Sequence, residues 1–278
     1  MTETAAEPPV VSEEPLIPFP TKKVPRATAL RELAILEQAY PNAETALHYD
    51  SPFTLLIAVI LSAQCTDARV NLTTPHLFAA YPTPAALAAA PVDDVERIIK
   101  SCGFFRMKAK NIIAASRAIA EEHGGEVPSG REQLEALPGV GRKTANVVLS
   151  VAFHEAAFAV DTHVFRVSHR LGLTLGKTPR QVEDDVVKLV PREKLRHAHH
   201  WLILHGRAIC KAPIPHCDIC PVNQICPTAP VVDRILLKKA RTKTRMLLAE
   251  RKKATAKKAS TKKTSAKKQS ATRRGTKK

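Results

Sequence analysis

A chain of 278 residues with 44% hydrophobic residues can hold one or two domains with a sizeable core, and few aromatics beside abundant alanine favour helices over sheets. The net charge of +17 is not spread evenly: residues 238–278 hold 18 Lys and Arg against the single acid Glu250, whereas residues 1–237 hold 25 basic and 25 acidic residues. A diffuse basic surface on the folded part is thereby excluded, and any anion-binding site there has to be a local patch.

Residues 1–25 carry Glu3, Glu7, Glu13 and Glu14 among repeated prolines, with no basic start leading into an apolar run. They are expected to form a disordered leader and not a secretory signal. Ala29, Leu30, Leu33, Leu36 and Ala39 then line one face of a helix that Pro41 stops. Ser51-Pro52 joins an N-cap to a proline at the first helical position and opens a strongly apolar helix that runs to Gln64. This longest apolar stretch, around 53–61, is too short to span a membrane. Thr66-Asp67 starts a helix to about Ala80, Thr83-Pro84 a short one, and residues 93–100 another that Gly103 ends. Residues 108–122 are amphipathic and close on His123-Gly124-Gly125. On these patterns alone Gln64 reads as a solvated helix end, and Phe104 and Phe105 as core.

Leu134, Leu137, Val140, Val147, Val148 and Val151 recur at helical spacing on either side of Pro138-Gly139-Val140-Gly141, which predicts a helix, a tight turn and a second helix over 134–153. The unpaired N–H groups at the start of that second helix, with the positive end of its dipole, suit an anion such as a phosphate. A packing joint is the plainer reading of such a turn; Arg142 and Lys143 tilt it towards a phosphate contact. Helices over 161–171, 179–190 and 195–209 complete a count of about ten, without strand alternation, so the fold class is all-α.

The cysteines divide into two sets. Cys210, Cys217, Cys220 and Cys226 form C-x6-C-x2-C-x5-C, compact enough for four thiolates to meet on one metal centre. Spacing alone admits a structural zinc or a four-iron cluster, with zinc the safer assignment. Either would pin a loop containing Pro213, Pro215, Pro221 and Pro227. Cys65 and Cys102, far away in sequence, read as small buried hydrophobes. Metal binding rather than disulfide pairing matches the reducing, cytoplasmic setting expected of a chain without targeting signals, nucleoid-associated if the source is bacterial.

The run from Leu137 to Val148, the run Val160-Asp161-Thr162-His163-Val164-Phe165-Arg166-Val167, the run from His200 to Arg207, and the four cysteines together resemble the endonuclease III family. Its members are bifunctional DNA glycosylase/AP lyases of the helix-hairpin-helix superfamily. The resemblance covers roughly residues 27–228 and implies two lobes. One is a six-helix barrel over 45–155; the other combines 26–44 with 156–230 and holds a 4Fe–4S cluster on Cys210, Cys217, Cys220 and Cys226, which displaces the zinc assignment. It further implies a monomer acting on double-stranded DNA with damaged bases or abasic sites, excising oxidised pyrimidines.

In this resemblance Lys143 is the nucleophile and Asp161 the catalytic carboxylate. A neutral amine is needed to attack C1′, and a place in the first turn of a helix beside Arg142 is expected to lower the lysine's pKa. By its sequence Asp161 is an N-cap; it can serve in both roles. Because the target base must leave the stack, Gln64 is the implied plug and Phe104 the implied second wedge. Gly139, Val140, Gly141, Arg142, Thr144 and His163 complete the expected DNA contacts. Phe104 departs from the aliphatic residue common in the family, and Cys65 from the small residue usual after the glutamine. A monofunctional adenine glycosylase of the same fold, which would lack Lys143, and a non-catalytic helix-hairpin-helix protein, which would not need Asp161, are the alternatives. Beyond residue 238, lysine pairs recur every five residues from Lys252 to Lys268; this disordered arm is expected to tether DNA without sequence preference.

Overall fold

Ser51 fixes where the most buried helix begins. Its side chain accepts a hydrogen bond from the Thr54 amide while Thr54 Oγ1 accepts from the Ser51 amide, and Pro52 occupies the first helical position. All nine residues from Phe53 to Leu61 are buried, the signature of a helix enclosed on every side. The computed structural model describes residues 17–239, 241, 242 and 246. Between Arg26 and Ala208 it contains α1 (Arg26–Ala39), α2 (Pro52–Ser62), α3 (Asp67–Ala80), α4 (Pro84–Ala88), α5 (Val92–Ile98), α6 (Phe105–Glu122), α7 (Arg131–Ala136), α8 (Arg142–Ala152), α9 (Thr162–Arg170), α10 (Pro179–Leu189) and α11 (Leu195–Ala208). No strand occurs among the described residues, and the class is all-α as expected.

Two apolar cores form within residues 17–228. In the first, α2 packs on α3, α6 and α8, and α4 and α5 cover α6; Leu55, Leu56, Ile57, Leu61, Ile112, Ile119 and Val148 are completely enclosed. Each such Leu or Ile contributes about 1.5–3 kcal/mol over leaving it in water. In the second, α11 packs on α1 and α9, and α10 on α1 and α9, around Leu36, Phe158, Val164, Val167, Val182 and Leu202. The chain passes from first to second core along residues 157–160, all buried.

Two boundaries differ from the sequence expectation. The leader predicted to be disordered through residue 25 is ordered from Ile17: Ile17 is fully enclosed, Phe19 stacks on His169 at 4.7 Å, Lys23 pairs with Asp185 at 2.7 Å, and the Val24 amide donates to Gly172 O at 3.0 Å. Two apolar anchors in Ile17-Pro18-Phe19 outweigh the Pro- and Glu-rich composition around them. Secondly, α6 starts at Phe105 instead of 108, because Phe104 takes φ 57° and acts as its N-cap. The described residues from Ala229 onward belong to a separate unit, helical over 229–239. Of the basic arm expected to be disordered over 238–278, only 238, 239, 241, 242 and 246 are described, all helical; the remainder lies outside the described residues.

Candidate active site and DNA interface

The hairpin predicted over 134–153 is α7, a five-residue turn and α8. Leu137 and Val140 are buried and anchor the turn in the first core, with the Val140 amide bonded to Leu137 O at 3.0 Å. Gly139 is demanded twice over: its φ is 79°, and a Cβ there would meet Asn111 Cβ at 2.8 Å. Gly141 caps α8 through its backbone alone, and no side chain bonds the first turn. The N–H groups of that turn are left for an outside acceptor. Lys143 is exposed and Thr144 half-buried beside it.

Arg142 corrects the expectation. Its Nε and Nη2 each donate to Glu183 at 2.8 Å, and its Nη1 lies 3.5 Å from Glu135. Glu183 is only 7% exposed, and a carboxylate so placed requires a charged, forked donor. The guanidinium expected on a phosphate, and next to Lys143, is committed to joining α8 of the first core to α10 of the second.

Asp161 is the N-cap of α9, its Oδ1 accepting from the Val164 amide at 2.7 Å. The segment leading into it is held from both sides. Asn146 Nδ2, one turn after Lys143 on α8, donates to Phe158 O at 3.0 Å, while Arg131 Nη1 donates to Asn146 Oδ1. From α11, His199 Nδ1 donates to Ala159 O at 2.8 Å. His199 is buried with its ring edge-on to Phe158 at 5.9 Å. Burial, then the neighbouring His200, drives its pKa down to about 3; the Asp161 charge opposes the shift and the Lys143 charge adds to it. Lys143 and Asp161 thus both bear on one neutral imidazole. Asn146 and His199 escaped the sequence reading. Asn146 stood inside the recognised run as a helical residue, and nothing local to either residue signals a bond to a carbonyl 12 or 40 positions away.

Gln64 and Phe104 are brought together. Both are exposed and both stand in the left-handed region, at φ 51° and 57°. A Cβ on Gly103 would lie 3.3 Å from Gln64 O, so the two loops touch. Behind them the buried Lys108 donates from Nζ to Leu61 O at 2.8 Å, closing the last turn of α2. His163 is less available than expected: it is half-buried, its Nδ1 accepts from Arg166 Nη2 at 3.2 Å, and its Cβ packs where a Gly206 side chain would come within 3.0 Å. Burial holds its pKa below the usual imidazole value. Arg207 Nη1 meets Asp67 Oδ2 at 2.7 Å, joining the end of α11 to the start of α3. A separate cavity of about 320 Å³, lined by Glu44, His48, Tyr49, Arg196 and His200 among others, contains neither Lys143 nor Asp161.

The cysteine loop closes over a buried cation. Arg170, 3% exposed, donates from Nη1 to Lys211 O at 2.7 Å and to Cys210 Sγ at 3.6 Å, and from Nη2 to Pro213 O at 3.0 Å. Its own carbonyl accepts from Cys226 Sγ at 3.5 Å and Thr228 Oγ1 at 2.6 Å. Cys220 Sγ lies 3.6 Å from His205 Nε2, whose Nδ1 is 3.2 Å from Tyr40 Oη. Burial, followed by the charges of Cys220 and Cys210, pushes the Tyr40 phenol up. Among the described residues no group of three or more His, Cys, Asp or Glu side chains converges closely enough to hold a metal ion. The donor chemistry nonetheless fits a thiolate-held centre: Cys210 Sγ accepts from a buried guanidinium whose Nε has no partner, and a buried cation with an unspent donor favours anionic sulfur nearby.

Known proteins carry the same plan. Residues 57–192 match the family model of the HhH-GPD superfamily base excision DNA repair proteins. Endonuclease III of Rickettsia conorii is 51% identical over 192 residues, covering 69% of this chain and 91% of that protein. Endonuclease III of Escherichia coli K12 is 48% identical over 208 residues, covering 75% and 99%. A solved structure of a trapped covalent endonuclease III–DNA intermediate, an estranged-adenine complex, superposes with a TM-score of 0.72 at 44% identity, covering 74% of this chain and 98% of that one.

Proposed function

The chain belongs to the endonuclease III family of helix-hairpin-helix DNA glycosylases, and on that premise we propose that Lys143 and Asp161 carry out base excision and strand cleavage in it. The enzyme is a DNA glycosylase and abasic-site lyase for oxidised pyrimidines in duplex DNA. Supporting the residue assignment is one linkage: Lys143 and Asn146 lie a turn apart on α8, and Asn146 holds the carbonyl of Phe158, three residues before Asp161. Nucleophile and carboxylate are therefore indexed to the same helix.

The neutral amine of Lys143 attacks C1′ as the base departs. Asp161, with Oδ1 spent on the α9 cap, uses its other oxygen to take the amine's proton and to offset positive charge on the sugar. Opening of the sugar ring at the C1′–O4′ bond, with O4′ taking up a proton, turns this adduct into a Schiff base, and loss of the acidified C2′ proton then expels the 3′ phosphate by β-elimination. The uncapped first turn of α8 and the Gly139–Val140–Gly141 backbone grip a phosphate, and Gln64 and Phe104 fill the gap left by the flipped nucleotide. The two cores serve as the two lobes, with the DNA read between the hairpin of one and α9 of the other.

Cys210, Cys217, Cys220 and Cys226 hold a 4Fe–4S cluster, with Arg170 and His205 against their sulfurs. When bound it pins the proline-rich loop; no step of excision passes through it. The enzyme acts in the cytoplasm, and the arm over 238–278 tethers it to DNA through phosphate contacts, so that deleting the arm flattens the salt dependence of binding.

Borohydride trapping on a thymine-glycol or abasic duplex tests the assignment. A covalent adduct is expected from the wild type and from neither Lys143→Ala nor Lys143→Gln. An adduct that persists in both variants, or none from the wild type, overturns it. A broad visible absorbance that bleaches on oxidation distinguishes the cluster from colourless zinc.

A further inference from the structure

The two loops that carry Gln64 and Phe104 each carry a cysteine next to them: Cys65 follows Gln64, and Cys102 precedes Gly103-Phe104. Read from sequence, both were packing residues. The structure makes them neighbours. A Cβ on Gly103, beside Cys102, would lie 3.3 Å from the carbonyl oxygen of Gln64, beside Cys65, the Cys65 thiol is close enough to act on that of Cys102, and Cys102 Sγ lies 3.9 Å from Thr73 Oγ1. Cys102 is fully enclosed, whereas Cys65 is half-buried and reachable from solvent. The ammonium of Lys108, fixed on Leu61 O, lies close enough to act on both thiols. The four remaining cysteines lie beyond residue 209 in the C-terminal loop, so this pair is chemically separate from the cluster ligands.

A disulfide requires its sulfurs to close to about 2.05 Å. The two thiols stand on loops that touch at Gly103 and Gln64, and the backbone on either side is loop: Gln64 and Phe104 are exposed, in left-handed conformation, and anchored on the inner side by the Cys65 amide on Ser62 O at 3.1 Å and the Cys102 amide on Ile99 O at 2.8 Å. The thiolate is the form that attacks a peroxide. Burial and the second thiol push Cys102 up, against the pull of Thr73 and Lys108. Cys65, the exposed member, is thus the one a peroxide meets first.

We propose that Cys65 and Cys102 are a peroxide-responsive thiol pair whose disulfide ties the Gln64 loop to the Phe104 loop. The Cys65 thiolate attacks one oxygen of a hydroperoxide; the O–O bond breaks, the sulfur becomes a sulfenic acid, and the other oxygen leaves as alkoxide or hydroxide, which takes up a proton. The Cys102 thiol then attacks the Cys65 sulfur, the S–S bond forms, and the hydroxyl departs as water with the Cys102 proton. Two thiols are oxidised by two electrons and one peroxide is reduced. The cross-link holds the two tips at their free-protein separation, and since they must part and wedge into the duplex, oxidised enzyme loses excision until a thiol reductant restores it. This last consequence rests on the assignment of Gln64 and Phe104 to the DNA gap; the cross-link itself does not.

The test uses the full-length, cluster-loaded protein treated with graded hydrogen peroxide, alkylated, digested without reductant and mapped by mass. Expected is a Cys65–Cys102 linked peptide, about 2 Da lighter than its two reduced parts, at peroxide doses that leave the visible absorbance intact. Cys102→Ala should stop at a Cys65 sulfenic acid captured by dimedone, and Cys65→Ser should give neither product. Full alkylation of both cysteines at every dose, or a Cys65 link to another residue, overturns the proposal. A linked peptide with undiminished excision overturns the locking role. Excision and borohydride trapping by the reduced protein are read separately, so failure of the catalytic assignment is distinguishable from failure of the thiol pair.

Discussion

The two cores are built on different physics. The first encloses nine consecutive residues of α2, and its one buried charge is Lys108, capping a helix end. The second encloses Glu32, His169, Arg170, Glu183, His199, His200 and His205. Apolar burial depends weakly on pH, whereas buried titratable groups tie folding to proton uptake. The first core is a scaffold that presents the hairpin; the second couples stability to protonation and to the sulfur loop, and it lends Asp161 to the site.

The sharpest contrast comes from removing one central group from each core. Arg170→Met strands the carbonyls of Cys210, Lys211 and Pro213 and removes the cation beside the Cys210 thiol; a loss of about 3–5 kcal/mol in urea unfolding is expected, together with loss of visible absorbance. Leu56→Ala leaves a cavity in the first core and should cost about 2–5 kcal/mol, equal at pH 5.5 and pH 8, with absorbance retained. Loss of absorbance in Leu56→Ala as well would abolish the distinction.

Glu32 sharpens it further. Both its carboxylate oxygens are buried without a partner, and burial raises its pKa from 4.5 to about 8. The folded protein keeps this proton where the unfolded chain has lost it. Its contribution is therefore complete below pH 4.5 and declines by about 1.4 kcal/mol per pH unit up to about pH 8. Glu32→Gln should remove that slope and raise stability at pH 8; an unchanged slope would mean that the carboxyl finds a partner in solution. His199 acts in the opposite direction. With its pKa lowered from 6.5 to about 3, it contributes stability present above pH 6.5 and lost as pH falls towards 3. His199→Gln should flatten the acid limb, and excision should slow as the Ala159 carbonyl, and with it Asp161, loses its fixed place.

What was legible in the sequence follows from the range of the interactions. Helix starts are written within four residues, so Ser51-Pro52, Thr83-Pro84 and Asp161 could be read as caps, and the observed bonds to Thr54, Ala86 and Val164 are local. Glycines around the hairpin turn announced its geometry. By contrast, Arg142 had no local mark of its commitment to Glu183, 41 residues on, and its charge invited a phosphate instead. His199, Asn146 and the Cys65–Cys102 contact are equally nonlocal: each needs the completed fold to bring two helices or two loops together. The departure of Cys65 from the family pattern was visible, but its partner was not.

Two of the ion pairs that join the cores are expected to differ in strength. Arg142–Glu183 is bidentate, with the carboxylate almost enclosed. Glu183→Gln leaves a half-buried guanidinium short of its counter-charge and should cost about 1–3 kcal/mol. Arg207–Asp67 is a single 2.7 Å contact between side chains 46% and 23% exposed, where water and salt screen the attraction, so Arg207→Ala should cost less than about 1 kcal/mol. A double-mutant cycle with Asp67→Ala measures the pair directly, because each substitution removes the contact from one side. If its coupling energy exceeds that of Arg142–Glu183, the cores are held together mainly at the α3–α11 contact beside the Gln64 loop. A small value, lost in high salt, leaves the α8–α10 pair as the stronger joint, and it sits one residue from the lysine whose distance to Asp161 has to be kept.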